Sequence, residues 1–300
     1  MERKTTMLKL NRLLAATDLS APARHAVERA ALVSRETGAP LDVLHVADLA
    51  PLDKLRHLMG NSTDELRQQV LKSAREKLHD LIVILQNHYA VSAGAHVAFG
   101  SLLAELDKAV DVSAAGLIVC GARGESFLRH ILLGSTAERM LSRAKCPMLV
   151  VKQAAHEPYR TVLVPVDFSP SSLRAISNAR LVAPQAEIVL LHAFDVPFEG
   201  HLRYAGVEEE VIRGYRTLAR QEAVQNLHAL SAQAGLPPYE ARLVVQQGLP
   251  STHIIEQEQE ADCDLIVMGK HGESMLDELF LGSVTKHVLA ESQCDVLVSV

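Results

Sequence analysis

Two short stretches of this chain place glycines, hydroxyls and cations where they can meet a phosphate group. Gly121, Ala122, Arg123 and Gly124 are followed by nine residues and then by Gly134, Ser135 and Thr136; Gly269, Lys270, His271 and Gly272 are followed by nine residues and then by Gly282, Ser283, Val284 and Thr285. Glycine lets another group come close to the backbone. A helix that starts at the last glycine presents unpaired N–H groups and the positive end of its dipole, an arrangement that attracts anions. Ser135, Thr136, Ser283 and Thr285 can add hydroxyl hydrogen bonds, and Arg123, Lys270 and His271 can add charge, although an arginine in an exposed loop is as often simply solvated. One such glycine pair describes an ordinary turn. The same spacing twice, each time after a short apolar run and before a helical one, points to phosphate binding.

The elements that position these turns are themselves duplicated. Residues 11–20 (NRLLAATDLS) are echoed by 160–169 (RTVLVPVDFS), residues 41–48 by 187–195, 116–124 by 264–272, and 132–136 by 280–284. The offset near 148 residues divides the chain into domains at 1–153 and 157–300, with the polar segment 153–159 as linker. So short a tether predicts that the two halves pack as a pseudo-twofold pair, the covalent counterpart of a homodimer, with further homodimer formation open.

Within each half, short apolar blocks such as LLAAT, LDVLHV, HVAF, LIVC and MLVV are separated by helix-length segments. That pattern predicts buried parallel strands joined by crossover helices. Ser20 and Pro22 open a helix that Gly38 ends, and Ser169 and Pro170 repeat the opening. Leu66, Val70, Leu78, Leu81 and Leu85 form the buried stripe of a helix over 63–88, with Arg67, Lys72 and Lys77 pointing away; Val207–Ala234 is its counterpart, with Val211, Leu218, Val224, Leu227 and Leu230 facing the sheet. The expected architecture is two tandem open-twisted, five-stranded parallel sheets flanked by helices. Ligands of such sheets bind at the carboxyl ends of the strands, where the connections diverge.

Asp18 and Asp167 sit at matched strand ends, where an Asp either caps the turn into the next helix or meets a ligand. His45 and His192 are matched as well and read as hydrogen-bonded core histidines. The net charge of −6 argues against non-specific nucleic-acid binding. No apolar run is long enough for a membrane span or a secretory h-region, so a cytoplasmic protein is expected. Cys120, Cys146, Cys263 and Cys294 lie far apart and read as reduced structural thiols; the fourteen histidines form no zinc motif.

The G-x2-G-x9-G-[ST] spacing, the Asp after the first strand and the final CPMLVV strand together resemble the universal stress protein superfamily, in its tandem two-domain form, across nearly the whole chain. The resemblance implies an adenine nucleotide alpha hydrolase-like, Rossmann-like fold that binds ATP or another adenine nucleotide, with Mg²⁺ on the phosphates. It places Asp18 and Asp167 beside the adenosine, Val46 and Ala193 near the adenine, and Gly121, Arg123, Gly124, Gly269 and Gly272 on ribose and phosphates. Gly134, Ser135, Gly282 and Ser283 then hold phosphates, and Thr136, Val284 and Thr285 complete the set. The second half departs from the pattern at Ala193, where a Val is usual, and at Asp295, which stands where CPMLVV has its Pro. Neither a Walker A loop, a G-x-S-x-G elbow nor a pyrophosphatase loop is present, so a nucleotide-binding regulator with at most slow hydrolysis is the leading reading. An ATPase or adenylate hydrolase, and a protein-interaction scaffold with vestigial sites, are the alternatives.

Overall fold

The computed structural model describes residues 9–47, 63–122, 133–196, 199–237, 239–270 and 281–300. It forms two compact units, Met1–Pro158 with Leu181–Pro184, and Tyr159–Arg180 with Gln185–Val300. In the first unit β1 (Leu13–Thr17), α1 (Ala21–Thr37), β2 (Leu41–Ala47), α2 (Thr63–Tyr89), β3 (Ala93–Phe99), α3 (Leu102–Ser113), β4 (Leu117–Gly121), α4 (Ser135–Arg143) and β5 (Met148–Val151) follow in turn. Their strands lie in the order β3-β2-β1-β4-β5, and the pairs are parallel. The second unit repeats the plan with β6 (Thr161–Pro165), α5 (Pro170–Val182), β7 (Glu187–Phe194), α6 (Glu199–Tyr204), α7 (Glu209–Gln233), β8 (Ala241–Gln247), α8 (Pro250–Glu260), β9 (Leu265–Gly269), α9 (Ser283–Glu291) and β10 (Asp295–Ser299). Its order is β8-β7-β6-β9-β10, again parallel.

The central strands are apolar because both of their faces are covered. Every residue of β1 is buried, as is every residue of β5, and Leu163, Ile266 and Leu297 of the second unit have no exposed surface. Helix α1 opens as its sequence demands: Ser20 caps it by accepting from the Ala23 N–H at 3.3 Å. It closes at Gly38, whose φ of 70° lets its N–H reach Ser34 O. Ala74, Leu78, Leu81 and Leu85 of α2 are buried, while Arg67, Lys72 and Lys77 are exposed; Leu66 lies outside the described side chains.

Two expectations need correction, and one further element was not expected. Strand β3 is only half-buried, because it is the outer strand of its order and one of its edges has no strand partner in the unit. The helix read over Val207–Ala234 is present as α7, Glu209–Gln233; the short α6 before it, which ends at Tyr204 ahead of Gly206 with its left-handed φ of 75°, was not expected. A bidentate ion pair from Arg216 to Glu199, at 2.5 and 3.1 Å, ties the two together. The buried stripe of α7 includes Leu227 and Leu230 as expected and departs from the expectation at Val211, Leu218 and Val224. Ile212, Ala223, Leu227 and Leu230 face the sheet, whereas Val211, Leu218 and Val224 are 46%, 62% and 36% exposed. One residue is 100° of helix rotation, enough to move a stripe off the contact face.

Candidate functional site

In each unit the chain crosses from the first strand outward to the second and third, then returns to the other side of the first. The reversal falls between β1 and β4, which pair from Leu13 with Leu117, and between β6 and β9, which pair from Val162 with Leu265. Connections there leave to opposite faces and open a crevice at the carboxyl ends. Asp18 follows β1 and Gly121 ends β4; Asp167 follows β6 and Gly269 ends β9. The predicted residues are thus brought to the two reversal points by topology alone.

Backbone hydrogen bonds then carry each helix start back to the same strand end. The Ala122 N–H donates to Val151 O at 2.8 Å and the Gly134 N–H to Ala122 O at 2.8 Å; in the second unit the Lys270 N–H donates to Ser299 O at 2.8 Å and the Gly282 N–H to Lys270 O at 3.0 Å. Gly134 (φ −71°, ψ 146°) and Gly282 (φ −60°, ψ 153°) are the N-caps of α4 and α9, and no side chain caps either helix. Those torsions suit any L-residue, so the glycines are not required by the backbone. Each puts a residue without a side chain at the helix start. Ser135, Thr136 and Ser283 are exposed there. Thr285 is buried and donates to Gly269 O at 3.0 Å, locking strand to helix; its matched position in the first unit is Ala137, which makes no such bond. Arg123, Gly124, His271 and Gly272 lie outside the described residues, and the Lys270 side chain, 6% exposed, is buried.

Both aspartates fold the turn they stand in. Asp18 Oδ1 accepts from the Ser20 N–H at 2.9 Å, and Asp167 Oδ1 accepts from the Ser169 N–H at 3.1 Å. Between each Asp and Ser a bulky residue takes a left-handed conformation, Leu19 at φ 65° and Phe168 at φ 63°. Such torsions are rare for large side chains, and their recurrence at the two matched turns is a signal that sequence reading missed.

In the second unit a cavity of about 210 Å³ opens at this place. Of the residues singled out from sequence, Asp167, Ala193, Gly269, Gly282, Ser283, Val284 and Thr285 line it. Apolar walls come from Val166, Leu191, Ile254 and Met268. His192, read from sequence as a core residue, lines it too; its Nδ1 lies 2.8 Å from Val166 O and its ring meets Phe168 at a centroid distance of 4.2 Å. A carbonyl only accepts, so Nδ1 carries a proton and donates. His45 is held the same way, 2.9 Å from Thr17 O. Ser171 and Ser172 also line the cavity and were not singled out from sequence, although the run Ser169, Pro170, Ser171, Ser172, one residue beyond Asp167, was visible there. In the first unit Asp18, Val46, Gly121, Gly134, Ser135 and Thr136 occupy the corresponding strand ends and helix start.

The departure at Asp295 has a structural reason: its buried carboxylate accepts from the Tyr159 hydroxyl at 2.8 Å, which anchors the start of β10. The four cysteines are free thiols, and burial pushes Cys120 and Cys263 up to about 12 and Cys146 to about 11. Such thiols are poor nucleophiles. Among the described residues no three His, Cys, Asp or Glu gather to hold a metal, and no helix is long and apolar enough to cross a membrane.

The model of the Universal stress protein family matches residues 9–152 and again 158–299. A universal stress protein of Mycolicibacterium smegmatis is 27% identical over 300 residues, covering 95% of this chain and 96% of that protein. One from Methanocaldococcus jannaschii is 32% identical over 143 residues, 47% of this chain and 81% of that protein. Among solved structures, a universal stress protein from Archaeoglobus fulgidus aligns with a TM-score of 0.65 at 24% identity, over 97% of this chain and 99% of the other. With the family's pattern matched twice and nearly end to end, the chain belongs to the universal stress protein family, as a tandem of two such domains.

Proposed function

We propose that the protein binds adenine nucleotides, ATP in the first instance, at the reversal point of each domain, and works as a nucleotide-responsive regulator rather than as a fast enzyme. The observation that carries this reading is the cavity of the second domain: seven positions chosen for a nucleotide from sequence line one space at the strand ends. Its volume of about 210 Å³ is below the roughly 300–1,000 Å³ common for ligand pockets, so it suits the nucleoside part of a nucleotide. The phosphates belong at the start of α9, where Gly282 lines the cavity and Ser283 is exposed, and at the start of α4 in the first domain. Apolar Val166, Leu191, Ile254 and Met268 suit a base, with Asp167 and Ala193 alongside.

Mg²⁺ would ride on the phosphate oxygens, as it commonly does, since no protein cage is gathered for it among the described residues. Burial pushes the thiol of Cys120, beside Gly121 in the first domain, up to about 12, so that group is no activated nucleophile. That favours regulation over turnover. The test is mass spectrometry of small molecules released from purified protein, followed by Mg²⁺–ATP titration of the wild type and of Gly134→Asp and Ser283→Asp. Two equivalents of ATP, one lost in each variant, are expected; no binding at millimolar ATP would leave the protein-scaffold alternative.

A further inference from the structure

His192 stands half-buried in the cavity wall with its two ring nitrogens in different surroundings. Nδ1 lies 2.8 Å from Val166 O, and a carbonyl oxygen only accepts, so Nδ1 holds the proton and donates it. In the neutral imidazole Nε2 is then an acceptor with its lone pair exposed. Among the described residues nothing donates to Nε2, and it is not shut away from solvent. With Nδ1 turned to the backbone, Nε2 is the polar atom that this ring can present to the cavity.

The ring is held in that orientation from two sides. The bond to Val166 O fixes one edge, and Phe168, placed by its left-handed turn at φ 63°, packs against the imidazole at a centroid distance of 4.2 Å. His45 repeats the backbone bond, 2.9 Å from Thr17 O, so the fold sets the same tautomer at both matched positions. In the first domain, however, Leu19 stands where the second has Phe168.

A fixed lone pair decides what this part of the wall can recognise. It pairs with a ligand N–H or O–H and gives nothing to a phosphate oxygen, which needs a donor. Leu191, Ile254 and Met268 on the same wall exclude water without offering an acceptor. A site built to hydrogen-bond one ligand group discriminates against the analogue that lacks it. We propose that His192 is a specificity-determining residue of the second domain, its Nε2 accepting a hydrogen bond from a donor on the nucleoside part of the ligand. The proposal rests on the cavity being a nucleotide site. On adenosine the donors are the exocyclic amine and the ribose hydroxyls.

The experiment uses the full chain carrying Gly134→Asp, which leaves only the second site open, and compares it with the same protein bearing His192→Asn. Asparagine keeps an N–H near the place of Nδ1 for Val166 O and has no atom at the place of Nε2. Each protein is titrated calorimetrically with Mg²⁺ complexes of ATP, 2′-deoxyATP, 3′-deoxyATP and purine riboside triphosphate, which lacks the amine. One analogue should bind the parent about five- to tenfold more weakly than ATP. His192→Asn should bring ATP down to that level and leave that analogue unchanged. The weakened analogue identifies the donor: a deoxy sugar the ribose, the purine riboside the amine. Equal binding of all four ligands by the parent, a result that needs no variant of His192, overturns the proposal. So does discrimination that survives in His192→Asn, which would mean that the ring only braces Val166. If the parent binds no ATP while Ser283→Asp protein does, the nucleotide reading of this cavity fails first and this inference with it.

Discussion

Gly134→Asp should separate folding from binding, because the two respond to the same carboxylate in opposite ways. Gly134 has φ −71° and ψ 146°, torsions that aspartate adopts without strain. As the N-cap of α4 it carries no side chain, and Asp is among the best residues for that position, a few tenths of a kcal/mol better than Gly. Its charge also suits the positive helix end. The thermal midpoint of the first domain should therefore hold or rise by about 1 °C. The new carboxylate, however, takes the first-turn N–H groups that a phosphate would use and repels it. A unit charge about 4 Å from another costs about 4 kcal/mol at an effective dielectric constant near 20. Ser135 and Thr136 are exposed, so water and salt reduce this to about 2 kcal/mol, roughly thirtyfold in Kd. The assay is calorimetric titration with Mg²⁺–ATP in a Ser283→Asp background, where only the first site reports, with scanning calorimetry of the same samples. A Kd within threefold of the parent at unchanged Tm would show that the start of α4 is not an anion seat.

Tyr159→Phe removes the hydroxyl that donates to buried Asp295 at 2.8 Å and should destabilise the second domain by about 1.5–3 kcal/mol in urea unfolding; a loss below about 0.5 would refute the anchoring role of that pair. Gly248 has φ 132°, and a Cβ there would lie 2.8 Å from His253 Nε2, itself 2.9 Å from Gln247 O. Gly248→Ala should thus cost about 1–3 kcal/mol, and a neutral result would show that the β8–α8 turn yields freely. Maleimide should label Cys120 and Cys263 in native protein far more slowly than after denaturation, since burial pushes both thiols up to about 12 from 9.0. The same shift fixes a sign: the folded state keeps these protons where the unfolded state loses them, so stability is full below pH 9 and falls from there towards about 12. Equilibrium unfolding of Cys120→Ala should show a shallower alkaline decline than wild type; identical slopes would refute the assignment.

Much of this molecule was legible in one dimension because its signals are local or repeated. Buried strands such as Leu13–Thr17 and Leu265–Gly269 are runs of apolar residues, which no other element of that length explains when helix-length segments flank them. The Ser20 cap and the Gly38 stop are chemistry within a few residues of the helix they bound. The glycine turns stood out because the chain states them twice at one spacing. The buried face of α7 was legible at Leu227 and Leu230 but not at its start, since Val211 and Ile212 are equally apolar and only the sheet beneath decides which faces it.

The site divides along the same line. Sequence alone determined the fold family, the duplication and the residues at the strand ends, because each follows from pattern within a half. Tertiary structure decided which side chains share one space. His192 joins the cavity because parallel pairing sets β7 beside β6, where its ring reaches Val166 O; Ile254 arrives from α8, and Thr285 locks α9 to Gly269 only where the helix returns to β9. The left-handed turns at Leu19 and Phe168, and the hydrogen bond from the Ser169 hydroxyl to Asp167, depend on torsions and distances that residue types do not encode. Local pattern names the candidates; a hydrogen bond's direction exists only once donor and acceptor have been brought within 3 Å.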